Sequence, residues 1–401
     1  MPAEAGSRVE HRPLAEGDEI AVGEVRLRAL HTPGHTPHHT SYAVVDPRAQ
    51  QVVAVFSGGC VLVGACGRTD LVSPDLTEDL TRAQYRSASR IAALPDSTAV
   101  APTHGAGSFC AASAAAADTW TTVSRERTRN PAFLAASEDE FVRTQLSGLP
   151  AYPSYYAHMA ELNRAGGASW EPRPPPALSP DQLEGLMAAG TTVIDGRPRQ
   201  AFAAGHIRGT VNVELDPSFA TYVGWLVPFG SRLAFVLDAT QDPLEAARQC
   251  GRIGIGTIDG VLSGGVEAWA ASGRPLAAYP VTDVTGMHTA GRAGGVRLLD
   301  VRQQAEWDSG RVPGAVHIHV PELPGRLEEL GRPGVRGVPG GPGVRGVPGG
   351  SVEPVYVYCR TGHRAAMAAS ILDAAGLPAV LVDGGFPDWV ERGLPVEGGA
   401  G

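Results

Sequence analysis

The sequence predicts an α/β protein in which a partial αβ/βα sandwich precedes two parallel-sheet α/β domains. Three observations predict it. The second half of the chain is an internal repeat whose copies each alternate strand and helix patterns. The first 130 residues place histidines in loops directly after strand patterns. Near the C-terminus an alternating run, Val355-Tyr356-Val357-Tyr358, stops at Cys359, and small and basic residues then lead into an alanine-rich helix pattern over 365–375.

In the first module, 1–130, residues 25–30 and 40–45 read as strands flanking His31-Thr32-Pro33-Gly34-His35-Thr36-Pro37-His38-His39. A strand over 51–56 runs into Ser57-Gly58-Gly59-Cys60. Gly67-Arg68-Thr69-Asp70 precedes a helix at about 76–94, and a short strand at 99–101 enters Pro102-Thr103-His104-Gly105. Such loops are where an αβ/βα sandwich presents metal ligands, which makes His35 and His104 candidates. His31, His35, His38 and His39 offer another donor set, against the plainer reading of a polar loop. Cys60 and Cys66 flank an apolar stretch and read as core thiols.

Residues 131–176 read as a connector. It holds a helix over 133–146, an aromatic cluster at Tyr152, Tyr155 and Tyr156 that suits packing, and a stiff proline-rich spacer ending near Pro176.

The repeat sets the last two domains at 177–282 and 283–401. Asp195-Gly196-Arg197 and Gly205-His206-Ile207-Arg208-Gly209 parallel Asp300-Val301-Arg302 and Gly310-Arg311-Val312-Pro313-Gly314 at equal spacing. Further on, Gly264-Gly265 with Trp269 parallels Gly384-Gly385 with Trp389, and both tryptophans read as packing residues. Ligands of parallel sheets gather at the strands' C-terminal ends, which is where Cys359 falls. Free N–H groups in a helix's first turn stabilise an anion, and Arg360, His363 and Arg364 add positive charge. A cysteine in that field is expected to ionise well below the ~8.5 of a free thiol and to act as a nucleophile. Arg360, Thr361, Gly362, His363 and Arg364 would bind an anionic substrate, with Asp300 and Arg302 pinning the loop. The plain alternative is a buried structural thiol. In the first copy the matching position is Ala239, in a loop with Asp238 and Asp242 that would repel an anion, and Cys250 reads as core. The second copy also carries Pro333-Gly334-Val335-Arg336-Gly337-Val338-Pro339-Gly340-Gly341, repeated over 342–350. This density of Gly and Pro reads as a flexible surface insertion, with a gate over the cysteine pocket as the alternative.

A net charge of −9 and the lack of a basic block argue against nucleic acid as a partner. No run approaches the ~18 apolar residues of a membrane span, and the start lacks a signal peptide's apolar core. Five scattered cysteines without a C-x-x-C pair argue against a disulfide framework or a zinc knuckle, so a cytoplasmic setting is expected.

The motifs around His35, Gly59, Arg68 and His104 resemble the later half of the metallo-β-lactamase fold, most closely its persulfide dioxygenase branch. That resemblance implies Fe(II) on two histidines and one carboxylate. His35 matches the second histidine ligand and Gly59 stands where the branch has its aspartate. The H-x-H-x-D-H motif of the first ligand is absent from the sequence, and His104 matches a histidine the branch does not use for iron. No cofactor is certain; iron or zinc is expected only if this site is completed. Half a sandwich would leave a face uncovered, so a homodimer through it is expected.

The D-x-R, G-H-I-x-G, strand–Cys–loop–helix and G-G-x-x-x-W landmarks resemble the rhodanese family. They imply a sulfurtransferase that carries sulfane sulfur as a persulfide on Cys359, from thiosulfate or glutathione persulfide to a thiophilic acceptor, beside a first copy without a catalytic thiol. The N-terminal module is then expected to be inactive. The alternatives are an Fe(II)-dependent persulfide dioxygenase–rhodanese fusion and a non-enzymatic sulfur carrier or scaffold.

Overall fold

Alternation in the first 60 residues builds an antiparallel meander. In the computed structural model, which describes residues 1–104, 118–149, 151–166, 171–330 and 353–398, it opens a six-stranded sheet. Its strands are β1 (Glu19–Val22), β2 (Val25–His31), β3 (Thr40–Asp46), β4 (Gln51–Gly58), β5 (Ala99–Pro102) and β6 (Thr121–Thr122), ordered as in the chain. Only the β4–β5 pair is parallel. That crossover needs a long connection, which the helix Pro74–Ala92 supplies. Pro74 occupies its first turn, where a missing N–H costs nothing, and Asp75 complements the dipole. Leu80, Gln84, Ser87, Ala88 and Ile91 share its buried face at helical spacing.

The core beneath that helix comprises Val55, Cys60, Val61, Cys66, Ala88, Ile91, Val100, Val123, Ala132 and Phe141. Ala132 and Phe141 correct the expected boundary at residue 130. They belong to the helices Pro131–Leu134 and Glu138–Ser147, so this part of the expected connector packs into the first unit, which comprises Met1–Tyr152 and Tyr156–Ala168. An apolar stripe on a helix must be buried somewhere, and Phe141 finds cover beside the helix Pro74–Ala92, its ring 5.7 Å from that of Tyr85. On the opposite sheet face Leu27, Val44 and Ala54 form one cross-strand row and Tyr42, Phe56 and Ala101 the next. These residues are half-buried or exposed, Phe56 being 49% exposed.

The second unit is Pro153–Tyr155 with Ser169–Gly401. It holds two parallel five-stranded sheets. The first contains β7 (Ala177–Leu178), β8 (Thr192–Asp195), β9 (Val211–Asn212), β10 (Leu233–Val236) and β11 (Ile258–Leu262), in the order β7-β11-β10-β8-β9. The second contains β12 (Val281–Thr282), β13 (Arg297–Asp300), β14 (Val316–His317), β15 (Val355–Cys359) and β16 (Ala379–Gly385), in the order β12-β16-β15-β13-β14. Strand for strand the orders are the same, as a duplicated domain requires. Strands covered on both faces read as continuous apolar runs, and all four residues of β10 are buried.

The shared landmarks are structural. Arg197 binds Asp195 at 2.7 Å and the Gly205 carbonyl at 2.9 Å; Arg302 binds Asp300 at 2.6 Å and the Gly310 carbonyl at 2.7 Å. Asp300 and Arg302 therefore tie a strand end to the following turn, with Val301 N–H bonded to the Tyr358 carbonyl beside Cys359. Trp269 and Trp389 donate their indole N–H groups to Pro275 and Pro395. The Gly/Pro repeat over 333–350 lies outside the described residues.

Trp389 is 2% exposed, whereas its neighbour Val390 is 50% exposed. Trp389→Ala is expected to destabilise the second unit by about 3–5 kcal/mol and Val390→Ala by no more than about 0.5 kcal/mol, as read from urea unfolding midpoints.

Candidate active site

β15 lies between β13 and β16, so its last residue, Cys359, is delivered to the C-terminal edge at the middle of a parallel sheet. The chain turns at Gly362, whose φ of 91° is left-handed, and enters the helix His363–Ala374. Gly362 N–H donates to Cys359 Sγ at 3.1 Å. The left-handed backbone demands glycine, and a Cβ on Gly362 would also lie 2.0 Å from the Arg199 guanidinium, which would have to shift. Cys359 itself is 0% exposed.

The expected loop residues divide by position. Arg364 is buried in the helix's first turn and forms a bidentate pair with Glu306 at 2.5 and 2.9 Å. Burial pushes the Glu306 carboxyl up, but its bonds with Arg364 prevail and hold it below the usual range. Arg360 and Thr361 are exposed at the rim.

His363 meets residues that sequence reasoning missed, all from the first copy. Its Nε2 lies 2.9 Å from Glu214 and 3.1 Å from Asp216. Hydrogen bonds to Asp216 and Glu214 raise its pKa to about 9. Arg199 donates to the Thr361 carbonyl at 2.6 Å and to Glu214 at 2.7 Å. Against the burial that raises it, Glu214 is lowered to about 2 by His363 and Arg199. Arg199 also lies 2.9 Å from His363 Nδ1. That nitrogen cannot accept a hydrogen bond while the ring is charged. The contact is then one of like charges, compensated by Glu214, which bridges both cations. Tyr222, on the helix Phe219–Leu226, is raised mainly by burial and lies within electrostatic reach of Arg364 and Cys359. Arg199 and Glu214 carry no motif of their own; their place near the ends of β8 and β9 was the only signal.

The matching loop of the first copy, after β10, exposes Ala239. Cys250 is buried in the helix Pro243–Arg252, and burial pushes its thiol up to about 12. Cys60 and Cys66 are likewise buried, with Cys66 pushed up to about 12 by burial.

In the first unit the rings of His35 and His104 lie 5.5 Å apart, and His39 is 6.1 Å from His35. Burial lowers His35 and His39 to about 4, and lowers His104 as well. His35 Nδ1 bonds the Arg68 carbonyl at 2.8 Å, and Gly59 N–H donates to His39 Nε2 at 3.0 Å. A Cβ on Gly59 would fall 2.2 Å from the His35 ring. The space an aspartate would need is filled by imidazole, and His35 and His104 join no three-ligand group with a carboxylate among the described residues. These residues do not fit the two-histidine, one-carboxylate iron centre that the resemblance implied.

A cysteine-ended central strand, an anion-stabilising helix start and a duplicated parallel sheet define the class of protein. The chain belongs to the rhodanese family: the model for the rhodanese-like domain matches residues 179–272 and 286–392. Its N-terminal part is metallo-β-lactamase-like. A metallo-β-lactamase structure from Staphylococcus aureus is 28% identical, with a TM-score of 0.56, over 65% of this chain and 74% of that one. The human hydroxyacylglutathione hydrolase-like protein is 34% identical over 89 residues, 22% of this chain and 28% of that protein. Human mitochondrial persulfide dioxygenase is 30% identical over 131 residues, 32% of this chain and 44% of that protein. The chain thus spans less than half the length of these two curated relatives. No helix among the described residues is long and apolar enough to cross a membrane.

The raised pKa of His363 fixes a pH dependence. A histidine held above its ordinary ~6.5 contributes stability that is whole below that value. The contribution is lost as pH rises through about 9. The difference in urea midpoint between the wild type and His363→Gln is expected to be largest near pH 6 and to close by about pH 10.

Proposed function

We propose that the protein is a sulfurtransferase that moves sulfane sulfur through a persulfide on Cys359. The single observation that carries this reading is the position of Cys359 Sγ: at the end of a central parallel strand, bonded to Gly362 N–H, where the helix bearing the buried Arg364 begins. In the first half-reaction the Cys359 thiolate attacks the outer sulfur of thiosulfate or of a low-molecular-weight persulfide. The donor's S–S bond breaks, sulfite or thiolate leaves with the electron pair, and a Cys359 persulfide forms. In the second, cyanide, sulfite or a thiolate attacks the terminal sulfur, and Cys359 is regenerated. N–H groups at the helix start and Arg364 stabilise the charge on the terminal sulfur. Cys359 is buried, and Arg360 and Thr361 next to it in the chain form the exposed rim of its loop.

The first copy serves this reaction from the side, through Arg199, Glu214 and Asp216. Similarity to a persulfide dioxygenase favours a persulfide over thiosulfate as donor, and the setting we infer is cytoplasmic. Iron-dependent oxidation has no support from the donor set around His35. A carrier without turnover would hold a persulfide on Cys359 and release no product.

Wild-type protein is expected to release thiocyanate from glutathione persulfide or thiosulfate with cyanide, and Cys359→Ser to release none above background. An inactive wild type, or a Cys359→Ser variant as active as the wild type, sinks the proposal. Arg199→Ala removes a charge-assisted hydrogen bond to the loop, worth about 1.5–3 kcal/mol, and is expected to lower kcat/KM about 10- to 100-fold.

A further inference from the structure

The histidine-rich turn between β2 and β3 divides in two. The His35 ring lies beside those of His39 and His104, and His35 Nδ1 and His39 Nε2 are satisfied by backbone groups. His31 and His38 gather instead with Glu4. One donor atom from each of these three side chains lies within 4.8 Å of the other two.

We propose that Glu4, His31 and His38 form a binding site for one zinc-class divalent cation, distinct from the His35–His104 cluster. The folding that brings them together is local. His31 ends β2 and pairs in register with Thr40, two residues after His38, so the hairpin returns His38 to the neighbourhood of His31. The backbone of His31 is fixed from both sides, its N–H donating to Glu16 and its carbonyl accepting from Arg90. Glu4 sits in the 3-10 turn Ala3–Ala5, tethered by Ala3 N–H to the Leu14 carbonyl at 3.0 Å.

A second observation points to a ligand. His38 Nδ1 is shut off from solvent and has no hydrogen-bond partner, although the Glu4 carboxylate lies 3.8 Å away. A buried polar nitrogen is normally paired, and a bound cation would pair this one. Two imidazoles and one carboxylate suit zinc, which takes such donors at about 2.0–2.2 Å and completes a tetrahedron with water. Donors on one tetrahedral ion stand roughly 3.3 Å apart, within reach of small rotations from the present spacing. Glu4 is the outer wall, its side chain 73% exposed, so the cation enters from solvent. Once bound, it would clip the N-terminal turn to the β2–β3 connection.

The test uses full-length protein stripped with a chelator and titrated with Zn²⁺ against a chromogenic competitor. One equivalent should bind. Glu4→Gln and His38→Ala should each weaken it at least about tenfold, as loss of a ligand must if outer partners alone are worth 10- to 100-fold. His104→Ala should leave it unchanged. Zn²⁺ should also slow tryptic cleavage at Arg8 and Arg12 in the wild type but not in Glu4→Gln, whose exposed position keeps the fold intact by circular dichroism. Absence of zinc binding to the wild type overturns the proposal. So does an equivalent that survives both Glu4→Gln and His38→Ala, or one that is lost as fully in His104→Ala.

Discussion

In both rhodanese copies one arginine holds together two pieces of chain that would otherwise part. Arg197 grips Asp195 and the Gly205 carbonyl, and Arg302 grips Asp300 and the Gly310 carbonyl, with nearly the same distances. These charges are buried, where removing one partner would leave an uncompensated ion at a cost of about 3–5 kcal/mol. The pair therefore specifies where the strand ends and where the next turn begins. With that corner fixed, the neighbouring central strand also ends at a defined height, and its loop meets a helix start at a defined distance. The same clamp stands in the copy whose central strand ends at Cys359 and in the copy that has Ala239 at that position, so it belongs to the scaffold and not to the chemistry.

A scaffold held constant makes the differences informative. At the end of β15 stand Cys359, a left-handed glycine and buried Arg364; at the end of β10 stands exposed Ala239 between acidic residues. The first copy nevertheless contributes from another place. Its Arg199 and Glu214 reach Thr361 and His363, and Asn212 N–H of its edge strand β9 donates to Ser370 Oγ at 3.0 Å on the helix that follows Cys359. Glu214 explains how two cations can meet at this contact: one carboxylate, depressed by both, serves Arg199 and His363 together. A copy with Ala239 at the strand-end position is thereby tied to the loop of the copy that has Cys359 there.

The sequence showed what is local and repeated. Cys359 at a strand end, the duplicated landmarks and the alanine at the matching position of the first copy were all legible because each rests on neighbours in the chain or on equal spacing. What escaped was set by distant contacts. Arg199 and Thr361 are 162 residues apart, and no periodicity marks such a pair. The helices over 131–147 read as a connector because their apolar positions gave no hint of which surface would cover them; Phe141 joins the same core as Ile91, its ring beside Tyr85. Gly59 was legible as a missing carboxylate, but not the fact that the His35 ring takes up the room. Nor did a run of four histidines reveal that they would part into two pairs facing different neighbours.

The cysteines show why burial alone does not decide reactivity. Cys60, Cys66, Cys250 and Cys359 are all free and all buried. Cys60 and Cys66 pack in the core of the first unit, and desolvation drives those thiols and that of Cys250 upward, so they stay protonated and unreactive. Cys359 is as deeply covered, yet its sulfur meets a backbone N–H and lies in the electrostatic company of Arg364 and Arg199. Those groups are ordered before any substrate arrives: Gly362 by its left-handed turn, Arg364 by Glu306, Arg199 by Glu214. A charge formed on sulfur there would need no rearrangement of its surroundings, which is the condition under which a buried site can stabilise it. Cys60, Cys66 and Cys250 lack that arrangement, and these prepositioned partners are the physical difference between those core cysteines and Cys359.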